Sequence, residues 1–123
     1  MNFFYIKIPV GTSLADREHI FHEGLESALT TQKAGTVLGW GDSVSRPNAN
    51  EPARLAFHRI DIEITDFKPA LTLIQHTLVT LNAPLGTEIH YTVDRTAFQD
   101  ISSATGWHTE ACHTGTQRRN RLA

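Results

Sequence analysis

The stretch RIDIEITDFKPALTLIQHTLVTLNAP, residues 59–84, changes its hydrophobic period from two to about three and a half within a few residues. In its first part Ile60, Ile62 and Ile64 alternate with Asp61 and Glu63. That is the pattern of a strand with one buried and one wet face. In its second part Phe67, Leu71, Ile74, Leu78 and Leu81 fall on a single helical stripe, which has to pack on something flat and apolar. The isoleucine face is the nearest such surface. Asp66 stands where an N-cap is expected, Pro69 lies in the first turn where a missing amide donor costs little, and NAPLGT ends the helix.

Working outward, Phe4, Ile6, Ile8 and Val10 alternate with Phe3, Tyr5 and Lys7, a first strand closed by Pro9 and Gly11. Ser13 with Asp16 offers a helix cap, and Leu14, Phe21, Leu25, Ala28 and Leu29 share one face of a helix reaching about Lys33, weakened by Gly24. Residues 36–44 read as a second strand, irregular around Gly39 and Gly41. The run RPNANEP is a loop, a third strand spans residues 53–65, and a fourth spans 88–93 with Ile89, Tyr91 and Val93 on one face and Glu88, His90 and Thr92 on the other. The order strand, helix, strand, strand, helix, strand predicts a ferredoxin-like βαββαβ sandwich over residues 1–94, an α+β fold with an antiparallel sheet and two helices on one face. Residues 95–123 are expected to form a C-terminal extension packing on or flanking that domain. In it RTAFQDISSATGW suits a short helix or an edge strand, and GTQRRNRLA a solvated basic tail.

Composition narrows the functional classes. At 123 residues the chain is long enough to bury a core of its own as one domain. Its 11 Lys and Arg against 13 Asp and Glu give a net charge of -2, unlike the basic footprint of a nucleic-acid binder. The single Cys112 rules out an intramolecular disulfide and fits a reducing compartment, so a cytoplasmic protein is expected. The opening MNFFYIKIPVG has no basic region or cleavage site of a signal peptide, and no run approaches membrane-spanning length.

The sheet face that the helices leave uncovered is the natural place for a partner. The assigned registers put Phe3, Tyr5 and Lys7, then Leu55, Phe57, Arg59, Asp61 and Glu63, then Glu88, His90 and Thr92 on it. Aromatic anchors mixed with charges suit a protein interface, and Tyr5, Phe57, Asp61, Glu63 and His90 are the candidate contact residues. Trp40, with its large area and indole donor, is added from the glycine-flanked second strand. A purely structural alternative has Lys7 and Arg59 paired with Asp61 and Glu63 across neighbouring strands. A catalytic alternative pairs His90 with Glu63 or Asp61 as base and acid, yet no nucleophile elbow, phosphate loop or dinucleotide fingerprint accompanies it. We therefore assign no catalytic residue. HTEACH brings His108, Glu110, Cys112 and His113 close together, but a closed zinc site wants a second, separated ligand pair, so no metal or cofactor is expected. His19 and His22, three apart on the first helix, read as its solvent flank.

The opening YIKIPV, the glycine-containing second strand, IDIEITD, the amphipathic helix and LNAPLGTEIHY together resemble a group of small bacterial ferredoxin-like proteins, some of which look like immunity proteins for secreted toxins. The likeness covers residues 3–93, while GWGDSVS and the C-terminal extension depart from it. It carries over no catalytic residues. What it implies is a cytosolic, non-enzymatic module that binds another protein, a cognate toxin, and occludes its active site, or a chain that dimerises through its sheets. The rival class is a small-ligand regulatory domain or a dimeric ferredoxin-like enzyme, which would show an apolar cavity between sheet and helices or at a dimer seam.

Overall fold

The computed structural model describes residues 2–9, 18–45 and 54–111. In chain order these form β1 (Asn2–Pro9), α1 (Glu18–Gln32), β2 (Gly35–Ser45), β3 (Arg54–Ile64), α2 (Phe67–Thr80), β4 (Glu88–Val93), β5 (Thr96–Ser103) and β6 (Gly106–Ala111). The strands make one sheet in the order β2-β3-β1-β4-β5-β6, every neighbouring pair antiparallel. The fold is thus α+β, with a six-stranded antiparallel sheet and two helices, two strands more than the sequence pattern suggested.

Alternation decides which face is inside. Phe4, Ile6 and Ile8 of β1, Ile60, Ile62 and Ile64 of β3, and Ile89 and Tyr91 of β4 are all buried. They meet Phe21, Leu25 and Leu29 of α1 and Ala70, Ile74 and Leu78 of α2 in one core. The register joins them directly: Ile62 stands between Phe4 and Val37, and Ile6 between Ile60 and Ile89. On α2 the buried line runs through Ala70, Ile74 and Leu78, with Phe67, Leu71 and Leu81 packed at its margin. Gly24 has a positive reason for its place in α1, because a Cβ there would come within 2.7 Å of Leu81 Cδ1. The missing side chain lets α1 close on the end of α2.

Two expectations change. Asp66 occupies the N-cap position with extended backbone, φ -120° and ψ 128°, but its side chain makes no capping hydrogen bond. Only its carbonyl takes part, accepting from the Ala70 N–H at 3.2 Å. His22 is buried, not a solvent-flank residue. The Ser13–Asp16 cap, Leu14, the loop of residues 46–52, and Cys112, His113 and the basic tail lie outside the described residues.

The irregularity expected in the second strand is a β-bulge. Pairing of β2 with β3 slips between Val37 and Gly39, so that Val37 stands opposite Ile62 while Gly39 stands opposite Asp61. One extra residue on one strand resets which residues share a face.

The extension is the larger surprise. Neither a helix nor a lone edge strand, residues 96–111 continue the sheet as β5 and β6. Asp94 and Arg95 make the two-residue turn into β5 with φ of 50° and 69°, positive at both positions as the twist of a tight hairpin demands. On the inner face β5 carries Asp100, 1% exposed. Its Oδ1 accepts hydrogen bonds from Tyr91 Oη at 2.6 Å and Thr109 Oγ1 at 2.7 Å, and its Oδ2 accepts one from Gln75 Nε2. One carboxylate therefore ties α2, β4 and β6 to β5.

Candidate functional site

The helix-free face is assembled by three strands whose outward residues alternate with the core. β1 contributes Phe3, Tyr5 and Lys7, β3 contributes Phe57, Arg59, Asp61 and Glu63, and β4 contributes Glu88 and His90. Because β1 lies between β3 and β4, Tyr5 has Asp61 on one side and His90 on the other. Tyr5 is the centre of a stack. The Arg59 guanidinium sits 4.1 Å from its ring centroid, and the His90 imidazole lies parallel to it at 4.5 Å with 4° between the planes. A cation against a ring face is favourable, more so as water is excluded.

The stack continues into charge. His90 Nε2 donates to Glu88 Oε1 at 2.7 Å, and the same oxygen lies 3.9 Å from Lys7 Nζ. Lys7 Nζ in turn lies 4.4 Å from the centroid of the Phe57 ring. At the other end Arg59 Nε donates to Asp61 Oδ1 at 2.7 Å. Burial holds the His90 pKa below the ordinary histidine value, while the hydrogen bond and charge of Glu88 pull it up and Lys7 and Arg59 push it down.

This geometry answers the alternatives. Asp61 is paired with Arg59 along β3, and Lys7 with Glu88 across β1 and β4, so part of the face is an ion-pair ladder, arranged differently from the one expected. The acid and base proposed from the sequence are not together: β1 separates His90 from Asp61 and Glu63, and the carboxylate on His90 is Glu88, two residues back on its own strand. Among the described residues Glu63 makes no ion pair. A cavity of about 240 Å³ opens beside Tyr5, Lys7, Glu88, His90 and Gln99.

Five of the six candidate residues, Tyr5, Phe57, Asp61, Glu63 and His90, share this face, and Trp40 does not. The bulge puts Trp40 opposite Ile60, on the side of the helices, where its ring stacks on His22 of α1 at 4.0 Å and 8°. His22 Nδ1 is 3.1 Å from Nε2 of His58 on β3, both rings buried. Burial, then the neighbouring His58, lower the pKa of His22, with Glu23 and Glu26 opposing. The sequence reading missed this cluster; His58 on the inner face of an isoleucine strand was its only signal. Among the described residues no three potential ligands form a metal site. His108 and Glu110 are both exposed on β6.

A second cavity, of about 650 Å³, lies between the end of α1 and α2, lined by Gln32, Ala34, Lys68, Pro69, Leu73 and His76 among others. No helix among the described residues is long and apolar enough to cross a membrane. Comparison of the chain with protein-family models, with curated proteins and with solved structures gives no match.

Proposed function

We propose that the chain is a non-enzymatic protein-binding module on a ferredoxin-like frame, and that its contact surface is the helix-free sheet face centred on Tyr5. The observation that carries this reading is the stack of Arg59, Tyr5 and His90. Side chains already fixed by their neighbours lose little freedom when a partner covers them, and aromatic and arginine side chains are the types that dominate interface energies. Around the stack, Phe57 offers apolar area, while Asp61, Glu63 and Glu88 outnumber Lys7 and Arg59. The excess suits a basic partner, with gains in association rate and selectivity. Together with the sequence resemblance, it favours an immunity-type inhibitor that covers the cationic active site of a bacterial toxin in the cytoplasm.

The test is binding to the product of a toxin gene adjacent to the gene for this chain. A one-to-one complex is expected, weakened roughly thirtyfold by Tyr5→Ala, the effect of losing a central aromatic anchor. The double variant Asp61→Asn, Glu63→Gln is expected to slow association, most visibly at low salt. Undiminished binding by these variants, with melting unchanged, sinks the site. A second reading, a small-ligand regulatory domain, is favoured by the 650 Å³ cavity beside α2, a size ordinary for small-molecule pockets. If no toxin binds and a small molecule raises the melting temperature in a Leu73-dependent manner, that reading replaces the first.

A further inference from the structure

The cavity of about 650 Å³ lies where the end of α1 meets the start of α2, and main-chain hydrogen bonds fix its walls. Lys33 takes a left-handed conformation, φ 53°; its N–H donates to the Thr30 carbonyl at 3.2 Å, and the Ala34 N–H donates to the Leu29 carbonyl at 2.9 Å. This pair of bonds stops a helix and satisfies its last carbonyls. The Ala34 carbonyl then accepts from the Thr65 N–H at 2.9 Å, which ties the exit of α1 to the chain just before α2. The two sides of the cavity are therefore held in place before any ligand arrives, which lowers the cost of binding one.

α2 lines the cavity with two rows of different character. Lys68, Thr72 and His76 recur every four residues, and Pro69 and Leu73 do the same beside them, so each row follows one side of the helix. The polar row spans about 12 Å. Ala34 adds a third apolar contact and Gln32 a carboxamide from the opposite wall. Among the described residues, Gln32, Lys68, Thr72 and His76 make no ion pair or side-chain hydrogen bond, and no carboxylate lines the cavity. A mostly apolar pocket with a few uncommitted polar groups is the usual form of a small-molecule site. Here the charge is one-sided: Lys68 repels a cationic ligand, and a neutral one leaves the ammonium unused. We propose that the cavity binds an apolar monocarboxylate no longer than about 12 Å, with its carboxylate on Lys68 and its body against Pro69, Leu73 and Ala34. That choice of ligand rests on the small-ligand reading of this cavity, which lies between the helices and away from Tyr5.

Octanoate is the probe, with the octylammonium ion and octanol as cationic and neutral forms of the same chain. Amide chemical shifts of the full chain, followed by NMR during titration, report affinity and location together. Octanoate is expected to bind with a Kd on the order of 200 μM, moving the amides of Gln32, Ala34, Lys68 and Leu73 most. The octylammonium ion is expected to bind at least about tenfold more weakly. Lys68 is exposed and outside the core, so its replacement leaves the fold intact. Lys68→Gln is expected to weaken octanoate about fivefold, and Lys68→Glu to reverse the preference between the two ions. If the three probes bind at the cavity equally well, or if Lys68→Gln costs nothing, the carboxylate assignment is overturned while the cavity stays a small-ligand site. If no probe moves these amides at concentrations up to about 5 mM, the assignment and the small-ligand reading fall together.

Discussion

Replacing Asp100 separates two explanations of how the last two strands are held. The side chain is 1% exposed and accepts from Tyr91 Oη, Thr109 Oγ1 and Gln75 Nε2. Hydrogen bonds to a charged acceptor contribute about 1.5 to 3 kcal/mol each where water cannot replace them. Only the Tyr91 bond is fully buried; Thr109 is exposed and Gln75 half-buried, so their donors can turn to water. Asp100→Ala therefore forfeits one full bond, part of two others and some packing, offset by relief of the buried charge. The net loss is expected to be about 2 to 3 kcal/mol.

Asp100→Asn is the informative control. Its carbonyl oxygen can still accept from Tyr91 and Thr109, and its amide meets Gln75, whose own carboxamide can turn over to present oxygen. The expected cost is below about 1 kcal/mol. Urea unfolding followed by circular dichroism gives both values, with unchanged slopes required for a fair comparison. Hydrogen exchange adds location: the β5 and β6 amides should lose protection first in Asp100→Ala. If Asn costs as much as Ala, the charge and not the acceptor geometry holds the strands. If Ala costs nothing measurable, Asp100 is no anchor at all.

Three further outcomes are expected. Ile62→Ala, near the C-terminal end of β3 and fully buried between Phe4 and Val37, should lose about 2 to 4 kcal/mol in denaturant unfolding; a loss within error would contradict the face assignment. Asp66→Ala should change stability by less than about 0.5 kcal/mol, because no side-chain cap is there to lose; a full unit would show a cap in solution. The pH dependence follows from His22 and His90, whose pKa values lie below 6.5 in the folded chain, chiefly through burial. The unfolded chain then binds protons first on acidification, so their contribution to stability is intact above pH 6.5 and falls as pH drops through and below it. Proton NMR titration of the two imidazoles is the direct check, and midpoints at or above 6.5 would reverse the sign.

What could be read from the sequence was set by periodicity. The isoleucines of β3 and the Ile74 and Leu78 stripe of α2 are apolar at every inward position, so strand, helix and their contact followed from spacing alone. β5 defeats the same reasoning because its inward positions hold Phe98, Asp100 and Ser102, as their partners Tyr91, Ile89 and Trp107 indicate. A buried carboxylate in the middle breaks the apolar alternation that marks a strand. The turn before it is equally disguised: Asp94 and Arg95 adopt left-handed conformations that Asn-Gly would have announced. Tyr5 and His90 were placed on the right face, but their stacking needs the strand order, which puts β1 between β3 and β4 and which no local pattern encodes.

Trp40 shows how one inserted residue divides the surface. Strict alternation from Val37, which faces the core opposite Ile62, would send residue 40 to the helix-free face beside Arg59 and Lys7. The slip at Leu38 reverses that parity, lays Trp40 on His22, and leaves the bare backbone of Gly39 and Gly41 next to Asp61 and Arg59. The helix-free face thereby keeps Tyr5 at its centre with no bulky neighbour on the β2 side, while the exposed indole is carried to the sheet margin. A partner covering Tyr5 would then leave the Trp40 indole, on the helix side, untouched. Binding to a partner should accordingly fall in Tyr5→Ala and survive Trp40→Ala. Coupled losses in both variants would mean that the bulge does not divide the surface in this way.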